Sequence, residues 1–407
     1  MQQYAQAQHD QGRAPSGLRA WAAVLTLSVG IFVLITIEEA PIGVLTIMAD
    51  DLGVSRGTAG LAVTVPGILA GVVSLITPVV TRRWNRRTVL LAALVSVIIS
   101  CVLTIIAPSF ELVLLARLFT GLAIGLYWAV LALVAVRQMR KELVPIALSV
   151  VYGGVGGAMV LGVPLVAWIG SHLGWRDSFL AIGLFAVFEV IAVLLLVRPV
   201  DAGDAVTATQ MRAALRVPGV VYSLVFTALI VIGHFISYGY ISPILQGLAH
   251  VPLDAVSPML LALGIAGIVG NFAVTPLLRR SPVVAILIIA AGTSVSVLLV
   301  LFIVRSMVTA APVMVLWGAF AGASSVAIQA FVIRESGRHE QAATALNSAV
   351  YNSSIALGTG IGGAIHDLAG LPWLLVTTAV MGALGAFACL MWIRRHGHVG
   401  ASHTAET

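Results

Sequence analysis

From about Ala20 to Ile393 the chain is a succession of apolar runs, each close to twenty residues long and separated by short polar joints. A helix needs about 20 apolar residues to cross a bilayer's hydrocarbon core. This pattern constrains the fold more than any single motif. Of the 407 residues, 60% are hydrophobic and only 9% charged. Soluble domains carry roughly a quarter charged residues, so lipid must be the solvent for most of this surface. The runs do not alternate every second residue as barrel strands do. Glycine and proline within them do not exclude helices, because neighbouring helices re-satisfy the freed backbone. The sequence therefore predicts an all-α integral membrane protein with 12 transmembrane helices. They fall near 20–48, 57–80, 88–107, 112–136, 144–170, 177–197, 218–245, 255–278, 283–304, 311–333, 342–366 and 371–393.

Basic residues cluster in alternate joints, which sets the expected orientation. With the N-terminus inside, 18 of the 22 Lys and Arg residues fall in cytoplasmic segments. The outer segments hold Arg56, Arg176 and Arg305, and Arg117 lies within a span. Both termini are thus expected in the cytoplasm. The net charge of +6 is spread over short clusters and does not form one basic face, which argues for membrane topology and against a nucleic-acid partner. Residues 1–18 lack the apolar segment of a signal peptide and read as a disordered tail, as do residues 395–407. Cys101 and Cys389 both lie within spans and imply no disulfide framework.

The longest internal polar stretch, 199–217, divides the chain into predicted six-helix bundles at 19–198 and 218–394. The two resemble each other at a constant offset of 198: Pro78 with Pro276, Ala147 with Ala345, and Gly162 with Gly360. A parallel repeat of this kind is an architecture of secondary transporters whose site lies between the halves.

The chain resembles the major facilitator superfamily over nearly its whole length. "ARLFTGLAIG" resembles a helix-4 motif, carried by Arg117, Gly121 and Gly125. "TRRWNRRTVLL" is similar to the family's basic loop after helix 2, with Arg82, Arg83, Arg86 and Arg87. "GGVGGAMVLGVP" resembles the helix-5 antiporter motif, with Gly157, Gly162 and Pro164. "TALNSAVYNSSIALGTGIGGAI", which contains Gly360, resembles helix 11 of the drug/proton antiporter branch. Within that branch the likeness is greatest to bacterial nucleoside and arabinose-type efflux permeases. Two departures stand out. Arg82 occupies the place of the loop's usual Asp, so a gating salt bridge from that Asp has no counterpart. Val163 separates Gly162 from Pro164. The resemblance implies proton-coupled efflux of a small polar or amphipathic molecule across the bacterial inner membrane, such as a nucleoside, sugar or drug. It also implies a monomer that draws on the proton gradient and needs no cofactor. Proton-linked uptake, or a receptor on the same scaffold, are the alternatives. No catalytic constellation, P-loop or metal-ligand spacing is evident.

The residues that stand out are polar ones in apolar surroundings. Glu38 and Glu39 sit side by side in the first span, where each carboxylate costs roughly 2.5–3.5 kcal/mol on insertion scales. At 1.5 Å per residue, Glu38 and Arg117 lie at similar depths in the outer half. A carboxylate beside a guanidinium stays ionised and takes up a proton if the pair separates, a physical basis for proton coupling through Glu38, Arg117 and His234. Glu39 points about 100° away around the helix and is a candidate for substrate contact. Tyr127, Trp128, Ser237, Tyr238, Gln329, Asn347, Tyr351 and Asn352 are further candidates, because each offers a ring or a hydrogen-bonding group within a span. Packing and polar contacts between helices would account for many such residues equally well. Pro41 follows the glutamates and can free backbone carbonyls as partners.

Overall fold

The computed structural model describes residues 17–81, 84–201 and 208–396. Most of both predicted tails, the basic-loop residues Arg82 and Arg83, and part of the joint at 199–217 lie outside these. Among the described residues the structure is helical throughout. The helices are α1 (Leu18–Leu52), α2 (Arg56–Val80), α3 (Arg86–Ile105), α4 (Phe110–Gln138), α5 (Val144–Gly157), α6 (Val163–His172), α7 (Trp175–Leu196) and α8 (Ala208–Ala214). After these come α9 (Pro218–Tyr238), α10 (Ile241–Leu248), α11 (Leu253–Ala273), α12 (Thr275–Arg280), α13 (Pro282–Phe302), α14 (Met307–Ser336), α15 (Glu340–Ala369) and α16 (Leu371–His396).

Among the described residues, eleven helical segments are long and apolar enough to cross a membrane. One of them, Met307–Ala369, spans 63 residues. It turns at Gly337 (φ 51) into α14 and α15, of 30 residues each. Three predicted runs are not uninterrupted α-helices. The run 144–170 passes through a π-helical turn, Ala158–Gly162, just before Pro164. A proline removes one backbone donor, and the wider turn takes up the mismatch. The run 218–245 breaks at Tyr240, between α9 and α10. The run 255–278 breaks before Pro276, between α11 and α12. The joint at 199–217 contains the short helix α8, and α16 extends to His396, beyond the expected end near 394.

Caps form at the joints. Ser55 accepts a hydrogen bond from the Thr58 N–H at the start of α2 (3.0 Å), and Gly53 ends α1 in the left-handed conformation (φ 64). At the same end of the molecule Arg176 pairs with Asp51 at 2.6 Å. Large apolar side chains such as Leu184, Phe188 and Leu195 of α7 and Phe272 of α11 are exposed, as expected of helices whose outer faces meet lipid.

Helix α2 packs along α15, and α6 with the π turn packs against α11. These contacts join the helices before residue 198 to those after 217. The hydrogen bonds described between the two sets all lie toward the end that carries Arg56, Arg176 and Arg305. They include Ser257 to the Pro164 carbonyl (2.8 Å) and Gln246 to Thr46 (3.1 Å). A separate core of Phe226, Phe331, Cys389 and Trp392 belongs to the later helices alone. The halves thus meet at the arginine-poor end.

Close packing within a half depends on particular glycines. A Cβ at Gly154 would overlap the Ser28 carbonyl and come 2.6 Å from Ile31 Cγ2, whereas one at Gly153 meets nothing within 4 Å. Gly154→Val should therefore destabilise the protein by about 1–3 kcal/mol through overpacking, while Gly153→Ala should be neutral or stabilise by up to about 1 kcal/mol through helix propensity. Comparing their denaturant unfolding in detergent micelles checks the contrast.

Candidate functional site

Helix α1 stays helical through Pro41. Proline has no N–H, so the carbonyl four residues earlier, Ile37, loses its intrahelical donor. Arg117 of α4 supplies the replacement. Its Nη2 donates to the Ile37 carbonyl (2.7 Å) and the Glu38 carbonyl (3.1 Å), and its Nε donates to the Ala62 carbonyl of α2 (2.8 Å). The guanidinium is fully buried, with its carbon 6.0 Å from the Phe179 ring centroid. Gly121 and Gly125, one and two turns on, allow the approach. A Cβ at Gly121 would lie 2.6 Å from the Pro66 carbonyl, and one at Gly125 would lie 2.6 Å from Val73 Cβ. Glycines bring α4 onto α2, and the arginine ties both to α1.

The Glu38 carboxylate is buried and within electrostatic range of Arg117. The arginine's hydrogen bonds nevertheless go to backbone, so the side-by-side ion pair suggested by their depths takes the form of a longer-range attraction. Glu38 Oε1 and Arg117 Nη1 are buried without hydrogen-bond partners. Both atoms are therefore available to a proton, a substrate or each other.

Glu39 looks toward the other half. Its Oε2 accepts a hydrogen bond from the Tyr238 hydroxyl of α9 (3.3 Å). The Tyr238 ring stacks on His234, one turn earlier (centroids 4.9 Å apart, 19°). His234 meets Trp317 of α14 edge-on (5.8 Å, 79°). His234 Nδ1 and Trp317 Nε1 are buried and unpartnered. Tyr351 of α15, half-buried, lies within electrostatic range of both carboxylates. Glu38, Glu39, Arg117, His234, Tyr238 and Tyr351 are thus gathered into one region spanning both halves. Trp317 joins them without having been singled out from sequence; a lone aromatic in a span carries no signal that separates it from packing.

Other candidates fall elsewhere. Ser237 turns away and shares a hydrogen bond with Thr378 (2.7 Å). Asn347 accepts from Thr227 (2.6 Å) between α9 and α15. Tyr127 is buried inside the first half, donating to the Leu27 carbonyl (3.2 Å) and lying within range of Glu189. Trp128 stacks on Tyr152 (6.0 Å, 20°). Gln329 donates to Thr344 (3.2 Å), and the Asn352 amide donates to the Ser348 carbonyl of its own helix (2.9 Å). All three are half-buried.

The candidate gating residues also divide. Arg86 binds the Thr81 carbonyl and hydroxyl (3.2 and 3.0 Å). Arg87 reaches the Leu194 and Val197 carbonyls at the end of α7 (3.4 and 3.1 Å). Arg82 and Arg83 lie outside the described residues. A Cβ at Gly162 would overlap the Thr36 hydroxyl. Gly157 has ordinary room, with its nearest atom at 3.5 Å, whereas a Cβ at Gly360 would press on Thr64 Cγ2 of α2 at 3.3 Å. Pro164 is bonded through its carbonyl to Ser257 (2.8 Å) in the other half.

Residues 27–359 match the model of the Major Facilitator Superfamily. The purine ribonucleoside efflux pump NepI of Salmonella paratyphi A is 31% identical over 351 residues, covering 86% of this chain and 88% of that protein. Solved structures agree in fold. A bacterial homologue of the human lysosomal transporter Spinster, crystallised inward-facing and unoccupied, superposes with a TM-score of 0.73 at 15% identity, over 93% of this chain and 98% of that one. A POT family transporter in complex with 5-aminolevulinic acid superposes with a TM-score of 0.71 at 10% identity, over 91% and 95%. With its membrane-length helices, its acidic and basic groups buried between two sets of helices, and this match across most of its length, the chain belongs to the Major Facilitator Superfamily of membrane transporters.

Proposed function

We propose that this transporter is a proton-driven exporter of a small polar molecule of purine-nucleoside size, working by antiport in a bacterial inner membrane. In this reading the chain is a monomer of twelve spans in two six-helix halves, with both termini in the cytoplasm. The arginine-poor end then faces outward, and the contacts concentrated there correspond to a state closed to the outside. The observation that carries the reading is the contact of Glu39 with Tyr238 across the two halves, one residue from Glu38, whose Oε1 is buried without a partner. The nucleoside enters through the likeness to a protein named as a purine ribonucleoside efflux pump.

The chemistry divides between the two acids. Glu38 lies on the half that Arg117 holds together, and its carboxylate has an oxygen free to take a proton. Protonation removes its attraction to Arg117, and ionisation restores it. Glu39 reaches into the other half, where Tyr238, His234 and Trp317 offer stacking faces and hydrogen-bonding groups to a flat, polar ligand. A substrate that engages these groups competes with the Glu39–Tyr238 contact, so binding and the joining of the halves are linked. Without a bound cofactor in the scheme, the proton gradient supplies the work.

Glu38→Gln keeps the shape but cannot cycle a proton. It should abolish accumulation against a gradient in proteoliposomes with an imposed pH difference, and leave ligand binding and counterflow exchange in place. Glu39→Gln should change substrate affinity or range and preserve pH-driven transport. A dead Glu39→Gln with a Glu38→Gln protein that still concentrates substrate would reverse the assignment. The substrate class is checked by thermal shift: purine ribonucleosides should raise the melting temperature and Tyr238→Phe should reduce the shift, whereas stabilisation by hydrophobic cations alone would argue for a multidrug carrier.

Arg117→Ala should cost about 1–3 kcal/mol for the buried Ile37 carbonyl it leaves unsatisfied. Arg117→Lys should rescue this only in part, because one ammonium cannot copy the planar fork that reaches α1 and α2 together. Unfolding of the two variants in detergent tests the order.

A further inference from the structure

At the arginine-poor end the last turn of α15 meets the first turn of α2, one from each half. The Asp367 carboxylate accepts from the Gly57 N–H through Oδ1 (3.0 Å) and from the Ser55 hydroxyl through Oδ2. The first N–H groups of a helix have no intrahelical acceptor, and the positive end of the helix dipole favours an anion. Asp367 therefore caps a helix of the other half. Its Oδ1 also pairs with His366 Nδ1 (3.1 Å). The His366 ring stacks on Tyr240 (5.7 Å, 20°), and the Tyr240 hydroxyl donates to the Gly57 carbonyl (3.4 Å) and the Thr359 carbonyl (3.1 Å). The cluster closes on itself around Gly57.

Backbone geometry supports the same contact independently. A Cβ at Gly57 would overlap both the Asp367 carboxylate and the Gly363 carbonyl, and one at Gly363 would lie 2.7 Å from the Gly57 carbonyl. Two glycines, one per half, permit backbone contact at this point. The bonds from Asp367 to Gly57 and Ser55 and from Tyr240 to Gly57 are lost if the halves separate at this end, while the His366 and Thr359 contacts stay within the later helices.

We propose that Asp367, seated on the first turn of α2, is the latch that holds the two halves together at the arginine-poor end. It sets the balance between the state closed there and the state open there. The proposal rests on the movement of one half against the other by which such transporters work, and is independent of the proton and nucleoside assignments.

The test is a distance measurement on the full chain in lipid nanodiscs. Spin labels replace Leu173, at the end of α6, and Val308, in the first turn of α14, in a Cys101→Ser, Cys389→Ser background. Both label sites are strongly exposed, at 66% and 82%, and belong to different halves. Asp367→Ala should raise the ratio of long to short distances roughly 10-fold, a typical size for coupling through a contact made in one state only. Ser55→Ala and Asp367→Asn should shift it less, in the same direction, and decide the matter if Asp367→Ala does not fold. Distributions unchanged in every folded variant would overturn the latch, whatever the transport assays show.

Discussion

A buried guanidinium bound to carbonyls that a proline has freed organises the first half of this transporter. Arg117 meets the Ile37 and Glu38 carbonyls beside Pro41 and the Ala62 carbonyl of α2. Without it, α1 would carry an unsatisfied carbonyl in the hydrophobic interior, a penalty of about 1–3 kcal/mol. With it, α1, α2 and α4 are fastened at one depth, and Glu38 is held where the same cation attracts its carboxylate. Helix integrity and the electrostatics of the acid thus depend on one side chain. Glu39, on a different face of α1, is left to contact the other half.

The two kinds of contact have different reach. Arg117 acts within a half and is compatible with any arrangement of the two. The Glu39–Tyr238, Ser257–Pro164 and Asp367–Gly57 contacts exist only while the halves are joined at the arginine-poor end. A cycle that parts this end must break all three, while the Arg117 clamp carries α1 as part of a rigid unit.

Much of this was legible in the sequence. The span boundaries follow from hydropathy and fall within a few residues of the helices. Glu38, Glu39 and Arg117 are conspicuous because buried charge is costly, and Pro41 points to free carbonyls. The partner of each group was less legible. The spans are apolar all round, so no hydrophobic stripe tells which face of a helix looks inward. Ser237 and Tyr238 are neighbours in sequence, yet one packs against Thr378 and the other meets Glu39. Tyr127 and Trp128 divide in the same way, one buried beside Glu189 and the other stacked on Tyr152. The break at Tyr240 is hidden for a related reason, since α9 and α10 are equally apolar. Asp367 drew no notice because an acid at the end of a span reads as a solvated residue until the opposite helix is in place.

The π turn at Ala158–Gly162 bears on how this segment tolerates changes in length. A π turn holds more residues than the α turn it replaces, and each α-helical residue advances the side-chain direction by about 100°. Everything beyond it, including the Pro164 carbonyl that meets Ser257, is therefore phased by the widened turn. Deleting one residue from 158–162 would let the segment relax to a regular α-helix and leave α6 close to its present register with α11, because the five residues of the π turn rotate about as far as four of an α-helix. A further deletion, or an insertion, has no such outlet and would rotate α6 by about 100° per residue against α11, so the length of this short segment is as much a part of the interface as its side chains.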